Sequence, residues 1–182
     1  DKKATMIQSR LRHRLRNLGL SDFAAYCSYL QSEDGREEHQ HLISALTTNV
    51  SHFFRESHHF DTLGKLVAKR LPELRAGGCL RIWSAGCSKG QEPLSIAMTL
   101  LDHAPDMHKL DLRILATDID STVINFAREG IYPDRLMSGV SDEMRARFFT
   151  RQSAGAGGEA GYAAHSDIKR MIRYNPLNLL RE

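Results

Sequence analysis

Three patterns in direct succession constrain the fold most: a strand, a loop with two glycines and a helix, LRIWSAGCSKGQEPLSIAM at positions 80–98. A second strand pattern, LDLRILATDID at 110–120, follows and leads into a helix pattern that ends at Gly130. Strands joined through a helix in this way lie parallel in one sheet, and ligands bind beyond their carboxyl ends. The sequence therefore predicts an α/β fold with a ligand site near the loop.

The loop and the end of the second strand indicate which ligand fits. Gly86 and Gly90 let the backbone approach a ligand, although their spacing is not GxGxxG. Glu92 places a carboxylate where a pyrophosphate would need N–H groups and cations, so a positively charged group fits better. Asp118 ends the second strand, a position from which an acid accepts hydrogen bonds from ribose hydroxyls. S-adenosylmethionine has a ribose and an ammonium group but no phosphate, and it satisfies both carboxylates.

These residues alone leave two alternatives open. A nicotinamide-dependent enzyme would share the strand–helix–strand unit and the acid at Asp118. The glycines and Glu92 can also serve as plain capping of the helix, with no ligand bound. The pairing of the loop with Asp118 across one unit favours the cofactor.

Composition excludes several other classes of protein. The 25 Lys and Arg residues against 22 Asp and Glu leave a net charge of +3, too low to indicate nucleic-acid binding. Cys27, Cys79 and Cys87 have no CxxC spacing, which favours a reducing compartment over a disulfide framework or a zinc site. No apolar run approaches the roughly 20 residues that span a bilayer. The sequence therefore predicts a cytoplasmic protein without a metal site or a membrane segment.

The residues before the first strand have helical periodicity. Apolar residues recur at helical spacing along the first helix, and Ser21 is the expected N-cap of the second. The fourth helix should end at Pro72. The apolar residues Leu80, Ile82 and Trp83 then indicate a buried strand.

From Tyr132 onward the alternation of strand and helix breaks down. The pattern indicates a helix over 141–149, a glycine- and alanine-rich loop over 153–161 and a strand near Ile172. This part of the chain is therefore predicted to be an insertion, in which the AGAGGEAG tract forms a mobile hairpin tip.

Three stretches, ALTTNVSHFFRESHHF, LRIWSAGCSKGQEPLSIAMTL and ILATDIDSTVINFAREGIYP, closely resemble the CheR family. These are S-adenosylmethionine-dependent methyltransferases that esterify glutamates on bacterial chemoreceptors. The similarity runs from the N-terminal arginine helix to the final NPLNLL. It implies an N-terminal all-helical domain at 1–48 and a Rossmann-like class I methyltransferase domain at 49–182. It also implies a small antiparallel β-subdomain inserted at about 133–174.

The resemblance also implies which residues bind the cofactor. Glu92 is expected to receive the methionyl ammonium and Asp118 the ribose. Arg55 is the expected catalytic residue, because its guanidinium can bind the carboxylate of the cofactor or of the acceptor glutamate. The alternative interpretation is that Arg55 forms a salt bridge to Glu56. The full cofactor-binding set is Asn49, Ser51, Arg55, Gly86, Glu92, Asp118, Asn178 and Leu179.

The expected chemistry needs few catalytic groups. A glutamate side chain has a reference pKa of about 4.3 and is ionised at neutral pH, so no general base is required. The enzyme has to desolvate that carboxylate and align it with the methyl group. This explains why the sequence contains no evident nucleophile–base constellation.

Four arginines of the first helix are candidates for partner binding. They flank the leucine stripe on both sides and are expected to face outward. The chemoreceptors that this methyltransferase family modifies have acidic helical bundles as their cytoplasmic regions, so the resemblance implies that this helix docks on them. The alternative is that the arginines form a solvated basic face. The four residues are Arg10, Arg12, Arg14 and Arg16.

The resemblance also implies a further segment beyond this sequence. The family continues with an RN-x-x-IYF segment that carries further cofactor contacts, and this sequence ends before it. We therefore expect the 182 residues to be a fragment with little activity alone. A non-catalytic receptor-binding module that kept the fold is the alternative function.

Overall fold

The computed structural model describes residues 2–153 and 160–180, so most of the predicted hairpin tip lies outside the described residues. The chain divides into two compact units. One contains the residues up to Thr48 together with Asp120–Thr122, and the other contains the remainder.

The first unit is helical. Its helices are α1 (Lys2–Asn17), α2 (Phe23–Gln31) and α3 (Glu38–Leu46). Leu11, Leu15 and Tyr26 form its buried core, as the helical spacing of the leucines predicts. The predicted N-cap of α2 is wrong by one residue. Asp22 is the cap, because its extended backbone lets Oδ1 accept the N–H of Ala25 at 2.9 Å.

Five more α-helices and six strands complete the part of the chain that the structure describes. The helices are α4 (His58–Arg75), α5 (Gln91–His103), α6 (Ser121–Glu129), α7 (Asp142–Phe148) and α8 (Ser166–Arg170). The strands are β1 (Cys79–Ala85), β2 (Asp111–Asp118), β3 (Ile131–Pro133), β4 (Phe149–Gln152), β5 (Gly161–Ala164) and β6 (Ile172–Pro176).

The strands form two separate sheets. One is parallel, in the order β1–β2–β6, and α5 connects its first two strands along the chain. The other is a small antiparallel sheet in the order β3–β5–β4. The predicted α/β fold with a small antiparallel element is therefore confirmed. The antiparallel strands lie within 131–164, whereas β6 belongs to the parallel sheet, so the predicted insertion begins two residues late and includes the start of β6.

Helix α5 is the central helix of the core. Leu94, Ala97, Met98 and Leu100 are at most 1% exposed, and they share one apolar cluster with Ile114 of β2. This packing fixes the position of α5 and therefore of the loop that precedes it.

Two predictions in this region are wrong. Helix α4 continues through Pro72 to Arg75, because Leu74 is 2% exposed and its burial offsets the single hydrogen bond that proline removes. Strand β1 is not buried: Trp83 is 54% exposed. Among the described residues β1 pairs with β2 alone, and Arg81 and Trp83 lie on the exposed face of the sheet.

Over residues 2–153 and 160–180, the structure contains no helix with both the length and the apolar character needed to cross a membrane.

Candidate functional site

The glycine loop, residues 86–90, connects β1 to α5 at the carboxyl end of the parallel sheet. The N–H groups of Gly86 and Cys87 both donate to the carbonyl oxygen of Thr117, at N–O distances of 2.8 and 2.9 Å. Ser88 adopts a left-handed backbone with φ of +49°. The loop is therefore fastened to the end of β2, the strand that carries the predicted ribose-binding acid.

Asp118 is oriented by this loop. Its carboxyl group is buried, and Oδ2 accepts the backbone N–H of Ser88 at 2.8 Å. The carbonyl oxygen of Asp118 accepts the N–H of Leu177 at 2.8 Å, which holds the residues after β6 beside it. The acid thus sits between the loop and the chain that follows β6.

A cavity of about 260 Å³, here the Asp118 cavity, opens at this point. Four of the predicted cofactor-binding residues line it. Its walls are Gly86, Thr117, Asp118, Ile119, Leu177, Asn178, Leu179 and Leu180. A buried acid for ribose hydroxyls and apolar walls with an amide for a purine ring suit the nucleoside part of S-adenosylmethionine.

A second cavity of about 260 Å³, here the Arg55 cavity, brings Arg55 and Glu92 together. Glu92 lies in the first turn of α5 and is exposed, and Oε1 accepts a hydrogen bond from the Ser84 hydroxyl at 2.6 Å. The Arg55 guanidinium donates to the carbonyl oxygen of Val50 at 3.2 Å. The cavity is lined by Arg55, His59, Phe60, Leu63, Ile82, Glu92 and Ile96. One cation, one carboxylate and an apolar wall match the charges of an amino-acid group with a thioether chain.

Asn49 and Ser51 line neither of these two cavities. The carbonyl oxygen of Asn49 accepts a hydrogen bond from the Ser88 hydroxyl at 3.2 Å, so it contacts the glycine loop through its backbone. Ser51 is half-buried in the same segment. The structure therefore brings six of the eight predicted cofactor residues to the two cavities.

Sequence reasoning missed two tyrosines beneath the loop. Tyr132 is fully buried, and its hydroxyl donates to the carbonyl oxygen of Lys89 at 2.7 Å. Tyr174 is 9% exposed, and its buried hydroxyl has no hydrogen-bond partner among the described residues. Both hydroxyls leave no room for a side chain at position 90: a Cβ on Gly90 would lie 2.8 Å from the hydroxyl oxygen of Tyr132 and 3.0 Å from the hydroxyl oxygen of Tyr174. The signal in the sequence was the aromatic residue after Gly130 in the GIYP stretch, which by itself does not identify the loop as its partner.

The environment of the loop disfavours reactive thiol chemistry. Burial, together with the nearby Asp118 carboxylate, raises the pKa of the Cys87 thiol to about 12. Burial likewise raises the pKa of the Tyr132 hydroxyl well above its usual value. Both groups therefore remain neutral at physiological pH. No cluster of three or more potential metal-ligating side chains occurs among the residues described.

Two of the four predicted receptor-binding arginines do not face outward. Arg14 forms a bidentate ion pair with Glu38, in which Nε lies 2.9 Å from Oε1, and Glu38 is 3% exposed. Burial opposes ionisation of Glu38, but hydrogen bonds from Arg14 and from the Tyr26 hydroxyl outweigh it and lower the pKa of that carboxyl. Arg10 donates to the carbonyl oxygens of Leu46 and Thr47 at the end of α3.

The outward-facing prediction is therefore wrong for Arg10 and Arg14, because polar groups of α3 and the residues after it lie beside the leucine stripe. Arg12 and Arg16 are exposed. Neither has an ion-pair partner in the part of the chain that the structure describes.

Comparison with known families gives two matches that together span the chain. Residues 49–182 match the model of the CheR methyltransferase, SAM binding domain, and residues 1–47 match that of the CheR methyltransferase, all-alpha domain.

Similar curated proteins have related names. A probable chemotaxis protein methyltransferase of Rhizobium etli is 42% identical over 100% of this chain and 68% of its own length. Chemotaxis protein methyltransferase 2 of Pseudomonas aeruginosa is 40% identical over 99% of this chain and 61% of its own. The chemotaxis protein methyltransferase of Escherichia coli is 39% identical over 99% and 60%. The chain thus spans about 60 to 68% of the length of these relatives.

Proposed function

The chain belongs to the CheR methyltransferase family, and on that premise we propose that its protein transfers methyl groups from S-adenosylmethionine to glutamate side chains of chemoreceptors. The observation that carries the proposal is the distribution of charges over the two cavities. Arg55 and Glu92 line one cavity, and Asp118 and Asn178 line the other. A donor with a zwitterionic amino-acid end and an uncharged nucleoside end matches this distribution.

Each residue has a defined part in holding the donor. Glu92 would hold the methionyl ammonium, and Arg55 would hold the methionyl carboxylate. Asp118 accepts hydrogen bonds from the ribose, while Asn178 and Leu179 contact the adenine. Gly86 leaves room for the nucleoside, because it has no side chain at the wall of the Asp118 cavity. Asn49 and Ser51 support the segment that presents Arg55.

When bound, the donor supplies an electrophilic methyl group on a cationic sulfur. The acceptor glutamate is already ionised at neutral pH, so no residue of the chain has to remove a proton. The residues around the cavities instead align the two reactants and exclude water. Burial keeps the Cys87 thiol and the Tyr132 hydroxyl beside the loop neutral, so neither supplies a base.

Arg12 and Arg16 are the residues of the arginine helix that bind the receptor. Two exposed cations one helical turn apart can meet carboxylates on an acidic helical bundle, and Arg10 and Arg14 are already engaged within the helical unit. The acceptor lies in the cytoplasmic part of the receptor, so a cytoplasmic location belongs to the same proposal.

The proposal is tested with the full-length protein, a chemoreceptor cytoplasmic fragment and donor carrying a tritiated methyl group. We expect incorporated label that mild alkali releases as methanol, because carboxylate methyl esters hydrolyse under those conditions. Asp118→Ala serves as the matched inactive control. Absence of label, or label that resists alkali, would contradict glutamate methylation.

A separate experiment tests the receptor surface. The Arg12→Ala/Arg16→Ala variant should raise the KM for the receptor fragment about tenfold at low salt and leave S-adenosylhomocysteine affinity unchanged. Arg12 and Arg16 are both exposed, so thermal unfolding of the double variant should match that of the wild type. An unchanged KM would exclude these two residues from the receptor surface.

A further inference from the structure

Ser95 links α5 to the segment that carries Arg55. Its side chain is fully buried one turn after Glu92, and its Oγ accepts the backbone N–H of Phe54 at 3.0 Å. The same hydroxyl donates to the carbonyl oxygen of Gln91 at 2.7 Å. One side chain therefore connects the helix of the predicted ammonium-binding acid to the residue immediately before the predicted carboxylate-binding arginine.

The segment around Arg55 requires such a restraint. Phe54 and Glu56 have φ of +53° and +57°, a left-handed conformation that costs free energy for residues other than glycine. Such residues persist only where the surroundings hold them. Phe53 is 1% exposed, and the Phe54 ring packs edge to face on Phe60 with 5.2 Å between centroids. The hydrogen bond to Ser95 fixes the backbone between these two anchors.

We propose that Ser95 is a positioning residue, which holds the left-handed turn at Phe54–Glu56 so that Arg55 faces Glu92 across the Arg55 cavity. The inference rests on the proposed function, in which these two residues bind the amino-acid end of the donor. Ser95 itself lines neither cavity, so it acts through Arg55.

Thr99 provides a matched control on the same helix. Its hydroxyl donates to the carbonyl oxygen of Ser95 at 2.8 Å, as the Ser95 hydroxyl does to that of Gln91 one turn earlier. Thr99 is also buried, at 7% exposure. Thr99→Val removes the hydrogen bond from the side-chain hydroxyl to a helix carbonyl oxygen and keeps the shape of the side chain. Ser95→Ala removes the equivalent hydrogen bond and, in addition, the hydrogen bond from the N–H of Phe54. The difference between the two variants isolates the link to the Arg55 segment.

The experiment measures S-adenosylhomocysteine affinity by calorimetry on the full-length protein. Ser95→Ala should bind the ligand about three- to tenfold more weakly, since one hydrogen bond that orders the segment is lost. Amide exchange over residues 50–57 should become faster in that variant. Thr99→Val should change neither quantity by more than about twofold.

A double variant decides whether the effect passes through Arg55. In the Arg55→Ala background, Ser95→Ala should weaken binding by no more than about twofold further, because the group it positions is gone. Unchanged affinity in Ser95→Ala, or an equal loss with and without Arg55, would overturn the positioning role. If Arg55→Ala and Glu92→Ala themselves leave affinity unchanged, the proposed function fails instead, so the two failures are distinguishable.

Discussion

Asp118 and Glu92, the two carboxylates assigned to the donor, are held in opposite ways. Asp118 is 8% exposed and accepts a backbone N–H from the glycine loop, which is itself bonded to Thr117 of the same strand. Glu92 is exposed at the start of α5 and accepts a hydrogen bond from the side-chain hydroxyl of Ser84. The acid of the Asp118 cavity is thus held by backbone contacts between the glycine loop and β2, and the acid of the Arg55 cavity by a side chain near solvent.

The difference predicts how each end responds to change. A buried acid fixed by backbone loses little mobility when a ligand binds, so its hydrogen bonds contribute nearly their full free energy. Exposed charges are screened by salt and have to be ordered on binding. We therefore expect the Asp118 cavity to provide most of the affinity and the Arg55 cavity to provide orientation.

The largest effect is expected for Asp118→Ala. Loss of two charge-assisted hydrogen bonds should weaken S-adenosylhomocysteine binding about 30- to 100-fold. The control is Asp111→Ala, which removes an exposed acid from the start of the same strand, where it pairs with Arg81. Calorimetry should find that variant within about twofold of the wild type. Similar affinities for the two variants would contradict the assignment of Asp118 to the donor.

A smaller effect, on stability, is expected beneath the loop. Tyr132→Phe leaves the carbonyl oxygen of Lys89 without its buried donor and should lower the free energy of unfolding by about 1–2 kcal/mol. Tyr174→Phe removes a buried hydroxyl that has no described partner and should leave the free energy of unfolding unchanged or raise it. Urea denaturation of both variants measures the difference. Equal losses would show that the Lys89 contact does not stabilise the loop.

The smallest effect is expected for Glu92→Gln. The variant keeps the shape and loses the charge, and S-adenosylhomocysteine should bind it about three- to tenfold more weakly at low salt. The loss should shrink as sodium chloride is raised from about 0.05 to about 0.5 M, because this end of the site is exposed. The loss for Asp118→Ala should change little over the same range. Equal salt dependence of the two variants would contradict the proposed difference between the exposed Glu92 and the buried Asp118.

The place of the Asp118 cavity was predictable from sequence because its signals are local. A glycine loop after one strand and an acid at the end of the next lie at fixed places in a parallel sheet, so Gly86 and Asp118 could be assigned from their order alone. The supporting contacts were not predictable. Tyr132 and Lys89 are 43 positions apart in the sequence, and Ser95 and Phe54 are 41 apart. No pattern of residue types or spacing indicates that the two members of either pair are in contact.

The arginine helix shows the same limit. Helical periodicity predicts that four arginines flank the leucine stripe, but not that Glu38, 24 residues beyond Arg14, lies buried beside it. Likewise Leu80, Ile82 and Trp83 predicted a buried strand, because an apolar run does not reveal which of its faces is covered.

The central claim is that the two cavities bind a cationic, phosphate-free donor. The most direct test is a calorimetric titration of the full-length protein with S-adenosylhomocysteine and, separately, with NAD. The account predicts saturable binding of S-adenosylhomocysteine at one site per chain and no heat of binding with NAD. Binding of NAD in the absence of S-adenosylhomocysteine binding would contradict it.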